Sequence, residues 1–419
     1  MFPDEEQSSD TLCDLKFSNA DLEAAMCELR LNAAAGPDGI PACLLRRCSA
    51  SLAPPLAAIW RRSLHEDNIP LILKSANIVP IHKGKSKALP KNYRPVALTS
   101  QLTKVFEKVV RKQIVSFMEE HNLFNSGQHG FRSGRSCLSQ LIDHFDTITR
   151  FLEQGKGVKV IYLEFAKAFD KVDIGVTLRK LHQMGIRGRL GRWLVSFLTG
   201  RQQSVIVNGK ASAPQPVISG VPQGSVLGPL LFLILLGNID HDVAHSFVSS
   251  FADDTRVGKS IQTPEDANYL QQDLYAIFKW AKDTNMEFNS DKFECLRYQA
   301  NPSQPIPPHV YLTDSGTPIE EKDSLRDLGV TISNDASFSK HIAERCTTVR
   351  KLIGWVLRTF KTRSSLTMLT IWKSLILCHI DYCSQLWSPY KVGDIQMIEV
   401  LQKSFLNKIA GLRQHSYWN

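Results

Sequence analysis

Residues 246–260 read SFVSSFADDTRVGKS. Phe247, Val248 and Phe251 form a strand-like apolar run, Asp253 and Asp254 a tight acidic step, and a second short run starts at Thr255. That is the pattern of a β-hairpin with both acids at its tip. Most Asp-Asp pairs are solvated turn residues, but a hairpin tip holds its side chains rigidly. Two carboxylates at close range then repel unless a cation or a donor lies between them. Arg256 is the one base beside the pair in sequence. A divalent metal is the natural compensation, because carboxylate oxygens suit hard cations such as Mg²⁺.

The rest of the chain bounds what such a hairpin can serve. With 419 residues and 43% hydrophobic content the chain can bury a large core, divided over two or three domains or subdomains. Its nine cysteines include no C-x-x-C pair, and Cys378, His379 and Cys383 read as ordinary helix or core residues, so zinc is not expected. The N-terminus carries Asp4, Glu5, Glu6 and Asp10 without an apolar run, which argues against a signal peptide. The longest apolar stretch, VLGPLLFLILLG at 226–237, is too short to span a bilayer. The expectation is an intracellular protein of the cytoplasm or nucleus, neither secreted nor membrane-bound.

The net charge of +9 is unevenly spread. Between residues 74 and 112 ten Lys and Arg stand against one acid, Glu107, and from Lys340 onward twelve basic residues face four acidic ones. Either run alone is as readily a solvated face as a binding surface. Placed in sequence on both sides of an acidic, metal-type centre, the two suit a polyanion held by its phosphates.

Local patterns are mixed α and β. LTSQLTKVFEKVVRKQIVSFMEEHNLF (98–124) sets Leu102, Val105, Phe106, Val109 and Val110 at helical spacing with Lys104, Lys108, Arg111 and Lys112 around them, an amphipathic helix with a basic outer face. GVKVIYLEF predicts a strand ending at Glu164, SVIVNGKAS a hairpin turning at Asn208-Gly209, and Pro222 with Gly224 a turn before the apolar helix of SVLGPLLFLILL. The first 30 residues are acidic, with their first part expected to be loosely ordered, and the Pro-rich NPSQPIPPHV (301–310) is the expected subdomain boundary.

NYRPVALTS, GQHGFRSGRSC, YLEFAKAFDKVD, SGVPQGSVLGPLLFLI, FADDT, NMEFNSDKF, DLGVTIS and DYCSQLWSPY follow one another along the chain. This ordered series, running from GPDGIP at Gly36 to the C-terminus, resembles the reverse transcriptases of non-LTR, LINE-type retrotransposons. The resemblance implies an α+β, right-hand polymerase fold of fingers, palm and thumb, with an antiparallel palm sheet packed on helices. Its expected divisions are an acidic extension at 1–35, fingers and a basic region at 36–155, the palm at 156–300, a primer-grip-like segment at 301–339 and a basic helical thumb at 340–419. The reverse transcriptase domain overall would cover about 65–335. The implied activity is RNA-directed DNA polymerisation: a primer 3′-hydroxyl is extended on an RNA template with deoxynucleoside triphosphates, using two Mg²⁺ ions for which Mn²⁺ can substitute.

The resemblance also assigns roles residue by residue. Glu164, Asp253 and Asp254 would hold the metals, and Lys292 resembles the lysine that protonates the pyrophosphate leaving group. Phe169 resembles an aromatic gate against the ribose 2′-hydroxyl, with a core phenylalanine as the plain alternative. Gln223 and Gly224 would lie against the incoming nucleotide, and Lys83 and Arg94 would contact its triphosphate. Asp170 is read as structural. Three departures from the family pattern stand out. Glu164 occupies a position where the family has Asp, LLGNIDHD replaces a Tyr-Ile-Asn-Asp continuation, and neither an endonuclease nor a Cys-His knuckle accompanies the polymerase motifs. The expectation is a fragment lacking the endonuclease and impaired by Glu164, with a non-catalytic nucleic-acid-binding relic as the alternative.

Overall fold

A computed structural model describes residues 10–299 and 307–410. The acids Asp4, Glu5 and Glu6 and the first six residues of the Pro-rich boundary segment lie outside the described residues. The strands in chain order are β1 Ser75–His82, β2 Tyr93–Thr99, β3 Gly157–Glu164, β4 Arg201–Val207, β5 Lys210–Ala211 and β6 Gln215–Val217, then β7 Phe247–Phe251, β8 Asp254–Ile261, β9 Glu294–Tyr298, β10 Glu320–Lys322, β11 Ser324–Asp327 and β12 Val330–Ser333. The chain forms two compact units, one of residues 1–131, 165–242 and 277–289, the other of residues 132–164, 243–276 and 290–419.

The first unit holds a sheet in the order β2-β1-β4-β5, with β6 on β4. Strand β1 pairs antiparallel with β2 and parallel with β4. Asn208 and Gly209 take positive φ (50° and 77°) at the β4–β5 turn, the backbone that the Asn-Gly pair favours. The helix Gln101–Glu120 starts where the Ser100 hydroxyl accepts from the Leu102 and Thr103 amides. It buries Phe106 between Trp60, stacked at 4.6 Å, and Trp193, edge-on at 5.3 Å. Its expected basic outer face forms only in part, with Lys112 exposed. Lys104, Lys108 and Arg111 are only partly exposed, and the Lys108 ammonium pairs with Glu28 at 2.8 Å. The helix Asn19–Cys27 packs along this helix, so the Lys108 ammonium also lies 3.5 Å from the Ala25 carbonyl, while Arg111 reaches the Phe131 carbonyl at 3.5 Å.

The second unit is built on the sheet β10-β9-β3-β8-β7. Strand β3 pairs antiparallel with β8 on one side and β9 on the other, and it buries Val158 and Val160 on one face and Ile161 and Leu163 on the other. The expected antiparallel palm sheet is antiparallel throughout except at one edge, where β10 joins β9 in parallel over three residues. A long connection between those two strands permits the crossover that a tight hairpin would forbid. The helix Cys137–Glu153 covers the sheet through Leu141, Phe145 and Ile148, and the helices Ser339–Thr359 and Val392–Leu406 extend the same core with Val349, Ile353 and Phe405. Strands β11 and β12 form a separate hairpin through Leu328 and Gly329, both at positive φ (44° and 86°).

Candidate active site

Strand register decides what the acidic hairpin faces. The expected hairpin forms between β7 and β8, with Phe251 opposite Asp254, so Ala252 and Asp253 make the turn and Asp254 is already a strand residue. Ala252 sits at φ 55°, a left-handed backbone that costs a residue with a Cβ about 1 kcal/mol and that concentrates at functional sites. On the other side of β8, Asp254 pairs directly with Glu164 at the end of β3, and Arg256 pairs with Tyr162. Directly opposed residues of an antiparallel pair share a face with Cβ atoms about 5 Å apart, and like charges so placed repel. Burial first, then the carboxylates of Asp253, Asp327 and Glu164, push Asp254 up to about 6.

Two cations answer these acids, and neither answers Asp254 directly. The Lys292 ammonium, from the short helical turn Ser290–Lys292, binds the Glu164 carboxylate. Arg256 turns away from the hairpin tip and pairs with Asp327 at 2.6 Å, both side chains being buried. Glu164, Asp254 and Lys292 line one cavity of about 120 Å³ together with Leu325, Asp327 and Leu328. Its donors are hard carboxylate oxygens, and burial together with the neighbouring carboxylates holds Asp254 above its ordinary value, so the chemistry of the donors suits a divalent cation. Glu164, however, is engaged by Lys292, and among the described residues no three His, Cys, Asp or Glu side chains are gathered as a ligand set.

The other candidate residues lie in the first unit. Gln223 sits in the expected turn before the apolar helix Gly228–Leu236; its side-chain amide nitrogen donates to Asp170 Oδ1 at 2.9 Å and its backbone carbonyl accepts the Ala97 amide at 2.8 Å. Gly224 has φ 134°, and a Cβ there would stand 2.4 Å from the Ala97 carbonyl oxygen. Gly220, at φ 83°, meets the Asp170 carbonyl oxygen in the same way at 2.7 Å. Both glycines therefore let the turn approach the chain's own backbone. Phe169 is half-buried and stacks on Phe232 at 4.9 Å, with Phe131 edge-on at 5.9 Å. Arg94 on β2 pairs with Ile81, and Lys83 follows the end of β1 with its amide bonded to the Asn92 carbonyl; both basic side chains are exposed. A cavity of about 390 Å³ opens between this turn and the sheet, with Ala97, Asp170, Arg201 and Gln223 in its wall.

Sequence reasoning did not give functional weight to Glu107, Arg256 or Asp327. Glu107 is buried, and its Oε2 accepts the Val226 and Leu227 amides at 2.6 and 2.9 Å, capping the helix that follows the Gln223 turn. Its signal was visible as the single acid in a run of ten bases. Arg256 was visible as the single base beside the acid pair. Asp327 carried no local signal, because its partner is 71 residues away.

A sheet that sets a strand-end carboxylate opposite a hairpin carrying two more defines a polymerase palm. A family model described as "Reverse transcriptase (RNA-dependent DNA polymerase)" matches residues 81–332. The chain belongs to the reverse transcriptase family. It is 30% identical over 397 residues to a probable RNA-directed DNA polymerase from transposon X-element of Drosophila melanogaster, covering 92% of this chain and 43% of that protein. It is 26% identical over 398 residues to the RNA-directed DNA polymerase from mobile element jockey of the same organism, with the same two coverages. The chain thus spans less than half the length of these curated relatives. Among solved structures, telomerase from Candida albicans in complex with a telomeric RNA fragment aligns over 84% of this chain and 65% of that one, at 13% identity and a TM-score of 0.45.

Proposed function

We propose that this chain is the RNA-directed DNA polymerase portion of a non-LTR retrotransposon protein, extending a DNA primer on an RNA template with deoxynucleoside triphosphates. The observation that carries this reading is the β3–β8 register, which sets Glu164 opposite Asp254 with Asp253 in the adjoining turn. Asp253 and Asp254 are the residues proposed to bind two Mg²⁺ ions, with Mn²⁺ as a substitute, and Glu164 joins them when it releases Lys292. When bound, such ions lower the pKa of the attacking hydroxyl and neutralise the triphosphate. Lys292, freed from Glu164, is the proton donor to the leaving pyrophosphate. Lys83, Arg94, Phe169, Gln223 and Gly224 are assigned to the incoming nucleotide, with Phe169 excluding the ribose 2′-hydroxyl. The place of action is the cytoplasm or nucleus, a reading supported by nine cysteines that are all free.

The Lys292–Glu164 pair favours a second reading, a nucleic-acid-binding relic whose third acid is already neutralised. One experiment separates the two. Asp253→Asn with Asp254→Asn is expected to abolish Mg²⁺-dependent primer extension on an RNA template while primer–template binding stays within about threefold, since acids that hold cations contribute little direct phosphate binding. A parent chain with no extension under Mg²⁺ or Mn²⁺ would leave the relic as the correct reading.

A further inference from the structure

Arg256 lies two residues beyond Asp254 on β8 and is 1% exposed; Asp327 ends β11 and is 5% exposed. The Arg256 Nη2 donates to Asp327 Oδ1 at 2.6 Å. In the amide orientation that its neighbours require, the Gln140 oxygen accepts from Arg256 Nη1 at 2.9 Å and its nitrogen donates to the Ser250 carbonyl at 2.8 Å. One guanidinium therefore joins the acidic hairpin, the helix Cys137–Glu153 and the β11–β12 hairpin. A second tie holds the turn residue next to Asp327, where the Tyr382 hydroxyl donates to the Leu328 carbonyl at 2.7 Å. Leu325, Asp327 and Leu328 line the same cavity as Glu164, Asp254 and Lys292.

A buried ion pair is a weak source of stability, because desolvation of both charges offsets their attraction and an apolar pair of similar volume does as well or better. This pair is also incompletely satisfied, since Arg256 Nε and Asp327 Oδ2 have no hydrogen-bond partner. What it supplies that apolar residues cannot is a directional link of fixed length between the strand bearing Asp254 and the end of β11. We infer that Arg256 is a positioning residue which, through Asp327, fixes the β11–β12 hairpin against the acidic strand and so sets the shape of the cavity that Asp254 lines. The inference rests on the polymerase reading, and its structural half can be tested apart from it.

Asp327→Ala, Asp327→Asn and the double variant Arg256→Met with Asp327→Leu are compared with the parent by thermal unfolding, by hydrogen exchange of amides 324–333 against 157–164, and by steady-state primer extension. Asp327→Ala is expected to lower Tm and speed exchange in the hairpin. The apolar double variant is expected to recover the parent's Tm while exchange at 324–333 stays at least about tenfold faster. Its KM for primer–template is expected to rise at least about tenfold with kcat changed less, and Asp327→Asn, which keeps an acceptor, to recover most of the parent's KM. A double variant with the parent's exchange and KM would overturn the inference by reducing the pair to packing. If the double variant does not recover Tm, the inference falls when Asn and Ala at 327 give the same KM. A parent without extension defeats the polymerase reading, and the exchange comparison still decides whether the link holds the hairpin.

Discussion

Glu164 carries its carboxylate roughly 1 Å further from the strand than aspartate would, and catalytic groups need placement within about 0.5 Å. In the structure the longer side chain reaches Lys292, which turns a length difference into a change of partner. Glu164→Asp shortens that reach and is expected to raise Mg²⁺-dependent extension at least about tenfold, roughly 1.4 kcal/mol of barrier. Single-turnover extension by both forms on one RNA template measures it, and equal rates would show the longer acid to be accommodated. Asp254 makes a second prediction, for the metal-free chain. Its pKa of about 6 lies above that of a free aspartate, so the folded state holds the extra proton. The stability this contributes is present below about pH 4 and is lost as pH rises through about 6. Asp254→Asn removes the penalty and is expected to stabilise the metal-free chain by about 1–3 kcal/mol at pH 7.5 and by little at pH 4. Urea titrations at the two pH values check the sign.

Among the elements, the Gln223 turn depends most on one distant side chain. The helix Gly228–Leu236 is apolar on every side; the Ser225 hydroxyl accepts from its first amide, at Gly228, and Glu107 reaches across from the helix Gln101–Glu120 to accept from the two amides before it. Burial pushes the Glu107 pKa up, and the two amides together with Arg201 and Lys104 oppose that shift. Glu107→Ala leaves two amides without an acceptor in a buried site, and is expected to cost about 2–4 kcal/mol in chemical denaturation, with Glu107→Gln milder because its oxygen still accepts. Equal losses for the two variants would show that the charge, rather than the capping bonds, matters. The turn itself was legible from Pro222 and Gly224, and the β7–β8 hairpin from its apolar runs, because both follow from local backbone preferences. The partial cover over the basic stems of the helix Gln101–Glu120 was not legible. Its apolar stripe shows which face is buried first but not that the helix Asn19–Cys27 covers part of the rest.

For the whole molecule, charge is the property that transfers most directly from sequence to behaviour. The net +9, concentrated in residues 74–112 and from Lys340 onward, is expected to make primer–template binding fall steeply with salt, by at least about tenfold between 50 and 200 mM. Fluorescence anisotropy at three salt concentrations gives the slope, and binding indifferent to salt would remove phosphate contact as its basis. Partial neutralisation of the first run, as at Lys108 with Glu28, predicts fewer released counterions than a count of its basic residues suggests. By itself the sequence determined the family, through motifs in a fixed order, and the strands, hairpins and turns, through side-chain period and backbone preference within a few residues. Only the tertiary structure decided which charge answers which. Arg256, adjacent to two acids in sequence, binds Asp327; Lys292 reaches Glu164 across 128 residues; and Glu107 caps amides 119 and 120 residues away. The reason is that an ion pair's partner is chosen by strand register and by the desolvation each charge undergoes when the core closes, and neither quantity exists until distant segments have packed.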